Sequence, residues 1–585
     1  MASFITKACL FPPTSTAFPN INFNNTNSHK VDANFIKRAV ELADKSAGIS
    51  APHPNFGCVI IEAGRIVGEA YLHAEGATPA EVQAVKAGRE WCRGATAYLN
   101  MEPAYIHGDH TAVSALIQAR IKRVVIGIRN PLEHMKGKAI QALRSEGIHV
   151  DVLGEDLHGD MVEKALKSCL EVNAPLIVRA TSKIPYSVLK YAMTLDGKIA
   201  TNKGDSKWVS SNISRDRVFQ LRARSDAIII GGNTVRKDNP ILSTRQEGGH
   251  FPARIVMSQS LNLPEDAQLW DTSKYETIVV AQKGARRSFQ KYLASKGVEV
   301  VEFEVLNLRD VMEYFYRCGY LSLLWECGGR LAAPAISSRL IHKVYAFIAP
   351  KIIGGKGAPS PVSELGMIQM TQAFNLHDVH YEQVGPDMVV GGFLQPIPNL
   401  IPTIPSLSEK TKMELSVSPT ESSNNIISFY KTWDAYGCFS NFSSHPIKLP
   451  DEGGNYSIWS SVEHYYQAHK FYGVQDQIAR DCFETIKSSN SPEKAAIIGR
   501  KLQKQRPDLV RDDWESAKAD VMYRALKCKF STYPHLKSIL LSTGGSILVE
   551  GSQKDLFWGC GRDGNGLNYL GRLLMQLRLE FSNNS

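Results

Sequence analysis

Two glycine-rich junctions follow apolar runs that are predicted to be strands. One run ends in Gly231-Gly232 and the other in Gly328-Gly329-Arg330. A helix is expected after each junction, so backbone N–H groups at the positive end of a helix dipole would face it. A phosphate group can approach such a junction, and two junctions suit a dinucleotide, which has several phosphates. Either junction alone would indicate only a tight turn, but the two together, with the motifs between them, favour a cofactor site.

A second set of polar residues lies near the carboxyl end of the chain. Glu463, Gln467 and Lys470 are spaced by four and three residues, which places them on one face of a helix. A carboxylate on such a face can activate water or stabilise the oxocarbenium-like state of glycoside cleavage. Asp555 and Trp558 are candidates for a second carboxylate and a stacking wall. The alternative for Glu463 is a solvent-exposed helix held by surface salt bridges.

Length, composition and net charge indicate how many domains carry these sites and what kinds of partner the protein has. At about 150 residues per domain, the 585 residues predict two to four domains. Hydrophobic residues make up 43% and charged residues 21%, as in ordinary globular proteins. The net charge of +9 is too dilute to indicate nucleic-acid binding, and no apolar run approaches the about 18 residues of a membrane span. We therefore expect small-molecule partners, with no nucleic acid and no membrane.

The ten cysteines include no Cys-x-x-Cys pair, which is typical of reduced, mostly buried thiols. The first acidic residue is Asp32, and the preceding segment is rich in Ser and Thr and contains no Arg. This balance predicts an organelle transit peptide, of the plastid kind, over residues 1–30.

Two series of alternating strands and helices follow this leader. A helix over 34–45 opens the first series, and the alternation predicts a sheet covered on both faces. The second series starts at Tyr186. Its apolar runs are 226–230, 253–257, 277–281, 298–303 and 322–326. Five prolines among Ser, Thr and Lys then predict a linker, and an aromatic-rich, helical unit follows it.

The first series resembles the deaminase half of the bifunctional riboflavin-biosynthesis deaminase/reductase family. The resemblance rests on the segments 54–61, Gly68-Glu69 and Glu102-Pro103. In that family, a His-Ala-Glu sequence and two cysteines hold a zinc ion that activates water, and the Glu moves protons.

The zinc ligands of that family are missing here. Pro79-Ala80-Glu81 stands at the His-Ala-Glu position, so Glu81 remains without the histidine. Pro103-Ala104 replaces Pro-Cys, and the second cysteine would fall near Ala112 or Val113. A catalytic zinc needs three protein ligands, so the sequence predicts no zinc and no deamination.

Two nearby polar clusters are alternatives for a metal site. His73-Ala74-Glu75 lies six residues too early, and His107, Asp109 and His110 are interpreted as a solvated loop. A deaminase that works through such atypical ligands is the alternative kept open.

The second series resembles the reductase half of the same family, which has a dihydrofolate-reductase-like fold and uses NADPH. The matching segments, in order, are 189–198, 204–210, 222–228, 231–234, 238–240 and 242–245. The resemblance assigns cofactor contacts to Ala192, Trp208, Thr234, Asp238, Ser258, Gly328, Gly329, Arg330 and Leu331. It assigns substrate contacts to Ser206, Arg222, Leu242, Arg245 and Glu326.

The two arginines make chemical sense because a guanidinium fork grips a sugar phosphate through two hydrogen bonds. Alternatively, Arg222 lies on a helix surface and Trp208 is a core aromatic residue. Asp196 and Glu326 are candidates for orienting the substrate, and the proton donor is left open.

The third unit resembles the YbiA-like, or NADAR, family. The resemblance rests on the segments 436–442, 461–468 and 555–559. That family includes N-glycosidases that act on reactive early riboflavin intermediates.

Together these resemblances imply NADPH-dependent reduction of 5-amino-6-(5-phosphoribosylamino)uracil to 5-amino-6-(5-phosphoribitylamino)uracil in the plastid stroma. They also imply hydrolysis of the N-glycosidic bond of early riboflavin intermediates by the third unit. A homodimer is considered, and a non-catalytic scaffold or regulator is the alternative.

The predicted fold class is multidomain α/β: a cytidine-deaminase-like α/β domain, a dihydrofolate-reductase-like α/β domain and a mainly helical YbiA-like domain. The predicted boundaries are 1–30 for the leader, 31–177, 178–395, 396–426 for the linker, and 427–582.

Overall fold

The computed structural model describes residues 25–47, 54–72, 78–104, 111–244, 251–397, 426–450, 456–562 and 564–583. The predicted leader therefore lies outside the described residues except for its last six, and nearly all of the linker does as well. The chain forms three units, called here the first, middle and third unit.

The first unit is a five-stranded sheet with helices. Its strands are β1 (Gly57–Glu62), β2 (Arg65–Tyr71), β3 (Thr96–Leu99), β4 (Arg123–Ile126) and β5 (His149–Val152). Its helices are α1 (Asn25–Ser46), α2 (Ala80–Gly88), α3 (Thr111–Gln118), α4 (Lys138–Ser145) and α5 (Asp160–Val172). The strand order is β2-β1-β3-β4-β5, with β1 antiparallel to both neighbours and β3, β4 and β5 parallel.

Two sequence-based boundaries in this region do not coincide with the ends of helices. Helix α1 begins at Asn25, nine residues before the predicted start and inside the segment assigned to the leader, because its first turns carry polar residues with no apolar period. The predicted boundary between residues 177 and 178 falls inside α6 (Ala174–Ser182). Leu176 packs in the core of the first unit and Val178 in that of the middle unit, so this helix joins the two cores.

The middle unit is built on a nine-stranded sheet. Its strands are β6 (Tyr186–Thr194), β7 (Ala227–Gly231), β8 (Ala253–Met257), β9 (Thr277–Gln282), β10 (Glu299–Phe303), β11 (Ser322–Trp325), β12 (Lys343–Ala349), β13 (His377–Val384) and β14 (Asp387–Phe393). Its helices are α7 (Asn212–Ala223), α8 (Gly232–Asp238), α9 (Arg287–Ser295), α10 (Leu308–Arg317) and α11 (Gly329–Ser337).

The strand order is β10-β9-β8-β7-β11-β6-β12-β14-β13. The seven strands from β10 to β12 are parallel, and β14 and β13 add an antiparallel edge. Strand β11 lies between β6 and β7, with Leu324 opposite both Val188 and Ile228. The carboxyl ends of β6, β7, β8 and β11 therefore meet at one edge, where open parallel sheets bind their ligands.

The third unit is mainly helical, as predicted. Its helices are α12 (Val462–His469), α13 (Gln477–Lys487), α14 (Pro492–Gln505), α15 (Trp514–Thr532), α16 (Pro534–Ser542) and α17 (Tyr569–Asn583). Two small sheets pair β15 (Ile426–Phe429) with β18 (Ile547–Glu550) and β16 (Ile447–Pro450) with β17 (Tyr456–Trp459). Helix α12 is buried along its whole length, and its amino end is capped by the Ser461 hydroxyl, which accepts from the backbone N–H of His464.

The third unit packs against both others. Trp433 is part of the hydrophobic core of the first unit. The Arg562 guanidinium donates to the main-chain carbonyls of Val300 and Glu302 on edge strand β10. No helix in the described part of the chain combines the length and apolar character of a membrane span.

Candidate active sites

In the middle unit, a charged pair stands where β11 ends. Glu326 directly follows β11, and Arg222 lies in the last turn of α7. The Arg222 Nε donates to Glu326 Oε1 at 2.5 Å and Nη2 donates to Oε2 at 2.8 Å. Its Nη1 donates to the carbonyl of Ser243 at 3.1 Å. The Glu326 carboxylate thus occupies the guanidinium fork of Arg222. The Arg222 side chain is mostly buried, so the interpretation of Arg222 as a helix-surface residue was wrong.

The electrostatics of this pair favour its charged form. Burial alone would raise the pKa of Glu326, but the charge and hydrogen bonds of Arg222 lower it below its ordinary value. Lys190 on β6 contributes to the same field, and burial lowers the pKa of its ammonium group. Sequence reasoning did not single out Lys190. In the sequence, Lys190 is recognisable as the only charged residue of the segment that forms β6.

The two glycine junctions form as predicted and lie next to each other. Gly231 ends β7 before α8, and Gly328 precedes α11. A Cβ built on Gly231 would lie 3.7 Å from Leu331 Cδ2, whereas one built on Gly328 would meet nothing within 4 Å. At Gly329 a Cβ would lie 2.8 Å from the carbonyl oxygen of Ser360, so this position has no room for a side chain. The main chain at Gly328 is therefore open to a ligand.

Four other predicted cofactor residues and Ser206, a predicted substrate residue, lie on neighbouring elements. Ser258 directly follows β8, and its Oγ would lie 3.1 Å from a Cβ on Gly232. The hydroxyl of Ser206 donates to Asp238 Oδ1 at 3.0 Å. Thr234 lies on α8, and Arg330 is on α11. These positions follow or begin elements at the carboxyl edge of the parallel strands.

Trp208 is exposed over 59% of its surface, with the Arg215 guanidinium 4.2 Å from the ring centroid. The interpretation of Trp208 as a core aromatic residue was therefore wrong. Ala192 lies on β6, and Leu242 is buried with a left-handed φ of 58°. Arg245 lies outside the described residues.

Asp196 organises a turn rather than standing free. Its carboxylate accepts from the backbone N–H of Gly354 at 2.7 Å and of Ile353 at 3.4 Å. Since Glu326 is held by Arg222, both carboxylates proposed for orientation already have partners.

In the third unit, the predicted polar face of α12 is present but buried. Glu463 is 2% exposed and accepts hydrogen bonds from Gln467 Nε2, at 2.7 Å, and from Asn441 Nδ2. Burial raises the pKa of Glu463. Burial likewise lowers the pKa of Lys470 to about 8, and its ammonium donates to Gln503 Oε1 at 2.8 Å. The interpretation of this face as a surface salt-bridge network was wrong.

Trp558 lies beside this face. Its indole N–H donates to the Tyr466 hydroxyl at 3.1 Å, and the two rings are perpendicular with centroids 5.4 Å apart. Asp555 Oδ1 accepts from the backbone N–H groups of Phe557 and Trp558, at 2.9 and 2.7 Å. Asp555 thus holds the turn that positions Trp558.

The sequence analysis did not identify two further carboxyl groups of the third unit. Glu550 at the end of β18 and Glu493 on α14 each have a buried Oε2 without a hydrogen-bond partner. Burial raises the pKa of both carboxyl groups. The charge of Glu463 raises it further, and the charge of Lys431 lowers it. The sequence signal was an acidic residue closing a short apolar strand at 547–550. Unpaired buried carboxyl groups are costly, which makes them candidates for function.

In the first unit, Pro79 immediately precedes α2, and Glu81 lies in its first turn, 2% exposed and with Oε1 unpartnered. Burial raises the pKa of Glu81 to about 7. Pro79, Ala104 and Ala112 line a cavity of about 360 Å³ at this point. Proline and alanine side chains offer no metal ligand, so these positions do not fit the zinc that the family implies. The polar clusters at 73–75 and 107–110 lie outside the described residues.

Three family models match the chain. They are the cytidine and deoxycytidylate deaminase zinc-binding region over residues 29–128, the RibD C-terminal domain over 185–390 and the NADAR domain over 428–582.

Relatives match over nearly the whole length. The chain is 62% identical to "Riboflavin biosynthesis protein PYRR, chloroplastic" of Zea mays, over 94% of this chain and 90% of the relative. It is 61% identical to the protein of the same description in Arabidopsis thaliana, over 95% and 94%. A solved structure of a diaminohydroxyphosphoribosylaminopyrimidine deaminase/5-amino-6-(5-phosphoribosylamino)uracil reductase from Thermotoga maritima is 27% identical, with a TM-score of 0.53. The match covers 62% of this chain and 99% of the Thermotoga maritima chain.

The fold and its sites define a riboflavin-biosynthesis reductase of the RibD type with a NADAR unit at its carboxyl end. The chain belongs to the PYRR family of riboflavin biosynthesis proteins. The predicted fold class is confirmed for all three units.

Proposed function

We propose that the middle unit uses NADPH to reduce 5-amino-6-(5-phosphoribosylamino)uracil to the ribitylamino compound. The observation that carries this is the Arg222–Glu326 pair with Lys190 beside it, at the sheet edge that also holds both glycine junctions. The Thermotoga maritima relative is named for the same reduction.

NADPH would supply the hydride, and the chain would bind and orient it. The open main chain at Gly328, the Ser206–Asp238 pair and the exposed ring of Trp208 are the groups that would hold it. In the ring-opened substrate, hydride adds to C1′ and a proton adds to the attached nitrogen. The Lys190 ammonium, with its lowered pKa, is the group we assign to deliver that proton. The Arg222–Glu326 pair would fix the ribosyl hydroxyls.

The test is loss of NADPH absorbance when the purified chain receives this substrate. Lys190→Met should lower kcat by about 100-fold or more, as expected for loss of a general acid. Lys291→Met, an exposed lysine of the same unit, should match the wild type. Absence of NADPH oxidation by the wild-type chain would overturn the assignment and favour a scaffold.

We propose that the third unit hydrolyses the N-glycosidic bond of the same class of phosphorylated pyrimidine. Glu463 and Glu550 supply two buried carboxyl groups, and Trp558 supplies a wall for the base. One carboxylate would activate water while the other stabilises positive charge at C1′. The expected products without NADPH are ribose 5-phosphate and the free base.

Glu550→Gln should slow this release by about 100-fold, whereas Glu484→Gln, on the exposed face of α13, should not change it. Ribose 5-phosphate release that persists in Glu550→Gln would remove Glu550 from the mechanism. Release that persists in a chain ending at residue 396 would place the activity outside the third unit.

We infer that the first unit neither binds zinc nor deaminates. The support is that Pro79, Ala104 and Ala112 stand where the family places its ligands. Metal analysis of the purified chain should find less than one zinc per chain, and the diaminopyrimidine precursor should remain unchanged. One equivalent of zinc together with deamination would show that atypical ligands are used.

We infer that the chain acts as a homodimer through the β13 edge of the middle unit. Tyr381 on β13 is 72% exposed, and Ile368 and Met370, in the segment that leads to β13, are 90% and 87% exposed. Exposed apolar side chains of this size mark interfaces. Light scattering should give twice the chain mass, and Tyr381→Glu should halve it. A monomeric wild type would contradict this.

We also infer that the chain works in the plastid stroma. Both plant relatives are named chloroplastic, and residues 1–30 have a plastid-leader composition. A fluorescent fusion of the full chain should enter the stroma, and one lacking residues 2–24 should stay outside plastids.

A further inference from the structure

The segment that follows β18 carries three of the candidate glycosidase residues. It begins at Glu550, where β18 ends, and it contains Asp555 and Trp558. The backbone N–H of Cys560 donates to the carbonyl of Glu550 at 2.9 Å, which brings the two ends of the segment together. Residues 550–562 are called here the 550–562 loop. The three candidate side chains therefore depend on this loop for their positions.

Two basic side chains of the loop bind the middle unit. The ammonium group of Lys554 donates to Glu276 and lies 3.3 Å from Glu299 Oε2. The Arg562 guanidinium donates to two main-chain carbonyls of β10, at 3.4 and 2.5 Å. Lys554 and Arg562 lie four residues before and four residues after Trp558. The middle unit thus holds the loop at two points, one on each side of Trp558.

The two glutamates that bind Lys554 lie on a rigid support. Glu276 directly precedes β9, and Glu299 is the first residue of β10, its parallel neighbour. The hydroxyl of the buried Tyr314 donates to Glu299 Oε1 at 3.0 Å. Burial lowers the pKa of Lys554, but the charges of Glu276 and Glu299 outweigh burial and raise this pKa above its ordinary value. Lys554 is therefore held in its charged form against the ends of two strands.

A third contact between the two units lies next to the candidate carboxyl groups. A Cβ added to Gly319 of the middle unit would clash with Lys431 Cε of the third unit, so the Lys431 side chain lies directly on this glycine. The charge of Lys431 lowers the pKa of both Glu550 and Glu493. The contact with the middle unit therefore also keeps a cation beside these carboxyl groups.

We propose that the middle unit positions the 550–562 loop for N-glycoside hydrolysis, with Glu276 and Glu299 as positioning residues that act through Lys554. This inference rests on the glycosidase function proposed above for the third unit. A displacement of about 1 Å in a catalytic group can cost on the order of 100-fold in rate, so a loop held at fixed points matters for hydrolysis.

The reductase site should not depend on these two glutamates. Both lie at the amino ends of parallel strands, whereas the glycine junctions and Glu326 lie at the carboxyl ends. NADPH oxidation therefore reports whether a variant of Glu276 or Glu299 has damaged the middle unit.

The test is the double variant Glu276→Gln/Glu299→Gln of the full chain, assayed for release of ribose 5-phosphate and for NADPH oxidation. The kcat of release should fall about tenfold or more, while kcat/KM for NADPH oxidation stays at the wild-type value. Lys554→Met should give the same loss, and combining it with the double variant should add nothing, because all three changes break one contact. Lys554→Arg, which can still bind both carboxylates, should keep at least about half of the rate.

Two matched controls break ion pairs that lie within one unit. Glu265→Gln removes the exposed pair with Arg286 in the middle unit, and Lys527→Met removes the pair with Glu580 in the third unit. Both variants should keep both activities. Amide hydrogen exchange over the 550–562 loop adds a measurement that needs no turnover, and it should be faster in the double variant than in the wild type.

Each failure has its own signature. An active wild type whose kcat of release is unchanged in the double variant would overturn the inference, even with faster exchange, and would leave the glycosidase assignment standing. An equal loss of both activities would also overturn it, because that result means general damage to the middle unit. No release of ribose 5-phosphate by the wild type would remove the proposed glycosidase function and this inference with it.

Discussion

Arg222 and Glu326 form a two-hydrogen-bond fork at the end of β11, although they are 104 residues apart in the chain. Both side chains are mostly buried, at 15% and 12% exposure. A carboxylate thus fills the guanidinium fork that sequence reasoning assigned to a substrate phosphate. The two side chains therefore hold each other in one fixed arrangement.

Breaking this pair should be costly. Glu326→Gln leaves a buried guanidinium without its counter-charge, and we expect unfolding to become easier by about 3 kcal/mol or more, with a loss of reductase kcat/KM of at least tenfold. Glu265→Gln breaks the exposed pair with Arg286 and should change stability by less than about 1 kcal/mol. Thermal unfolding and NADPH oxidation measure the two effects. Equal behaviour of the two variants would contradict a buried, functional pair.

Trp208 should serve the cofactor without supporting the fold. Because its ring is exposed, Trp208→Ala should leave thermal stability unchanged and raise the KM for NADPH roughly threefold to tenfold, the worth of one aromatic contact. Trp91, exposed over 71% of its surface in the first unit, supplies the control Trp91→Ala. An unaltered KM in Trp208→Ala would show that the cofactor does not touch this ring.

The pH below which glycosidase activity declines should be higher than for an ordinary glutamate. Burial raises the pKa of Glu463 above its ordinary 4.5, so a carboxylate needed in ionised form is lost by protonation as the pH falls through that raised value. We expect the rate of ribose 5-phosphate release to decline below a pH that lies above 4.5. Glu463→Gln should lower the rate by about 100-fold or more above that pH, and the difference from the wild type should shrink as the pH falls below it. A pH profile that stays flat down to pH 4 would exclude Glu463 as the ionised group.

The stability of the first unit should fall as the pH rises. Glu81 has a pKa of about 7 when folded, against 4.5 ordinarily, so between these values the folded chain binds more protons than the unfolded chain. Stability from this group is therefore full below pH 4.5 and declines up to about pH 7. At pH 8 Glu81→Gln should be more stable than the wild type by on the order of 3 kcal/mol. Unfolding at pH 4 and pH 8 measures this, with Glu90→Gln as the control. A gain that is equal at both pH values would exclude the titration of Glu81.

Much of the candidate chemistry was visible in local sequence. The two glycine junctions lie at strand ends as predicted, because a short apolar run followed by Gly-Gly specifies strand, turn and helix locally. The shared face of Glu463, Gln467 and Lys470 follows from helical spacing alone. That Pro79 and Ala104 stand where the family has zinc ligands is read directly from the sequence.

Other features depend on which distant segments pack together. Burial of Glu463 was unpredictable, since spacing defines a helix face but not what covers it. Glu550 became a candidate only because β18 brings it near α12. The position of the domain boundary could not be located within α6, because its apolar residues serve both units: Leu176 and Ile177 pack in the first core, and Ala174 and Val178 pack in the middle core.

The sequence by itself determined the three kinds of unit and their family, since these depend on motifs of neighbouring residues. Only the tertiary structure decided the partners of those residues: Glu326 for Arg222, and the core of the first unit for Trp433. Hydrogen bonding and burial depend on distances in space between segments far apart in the chain, and local spacing does not encode those distances.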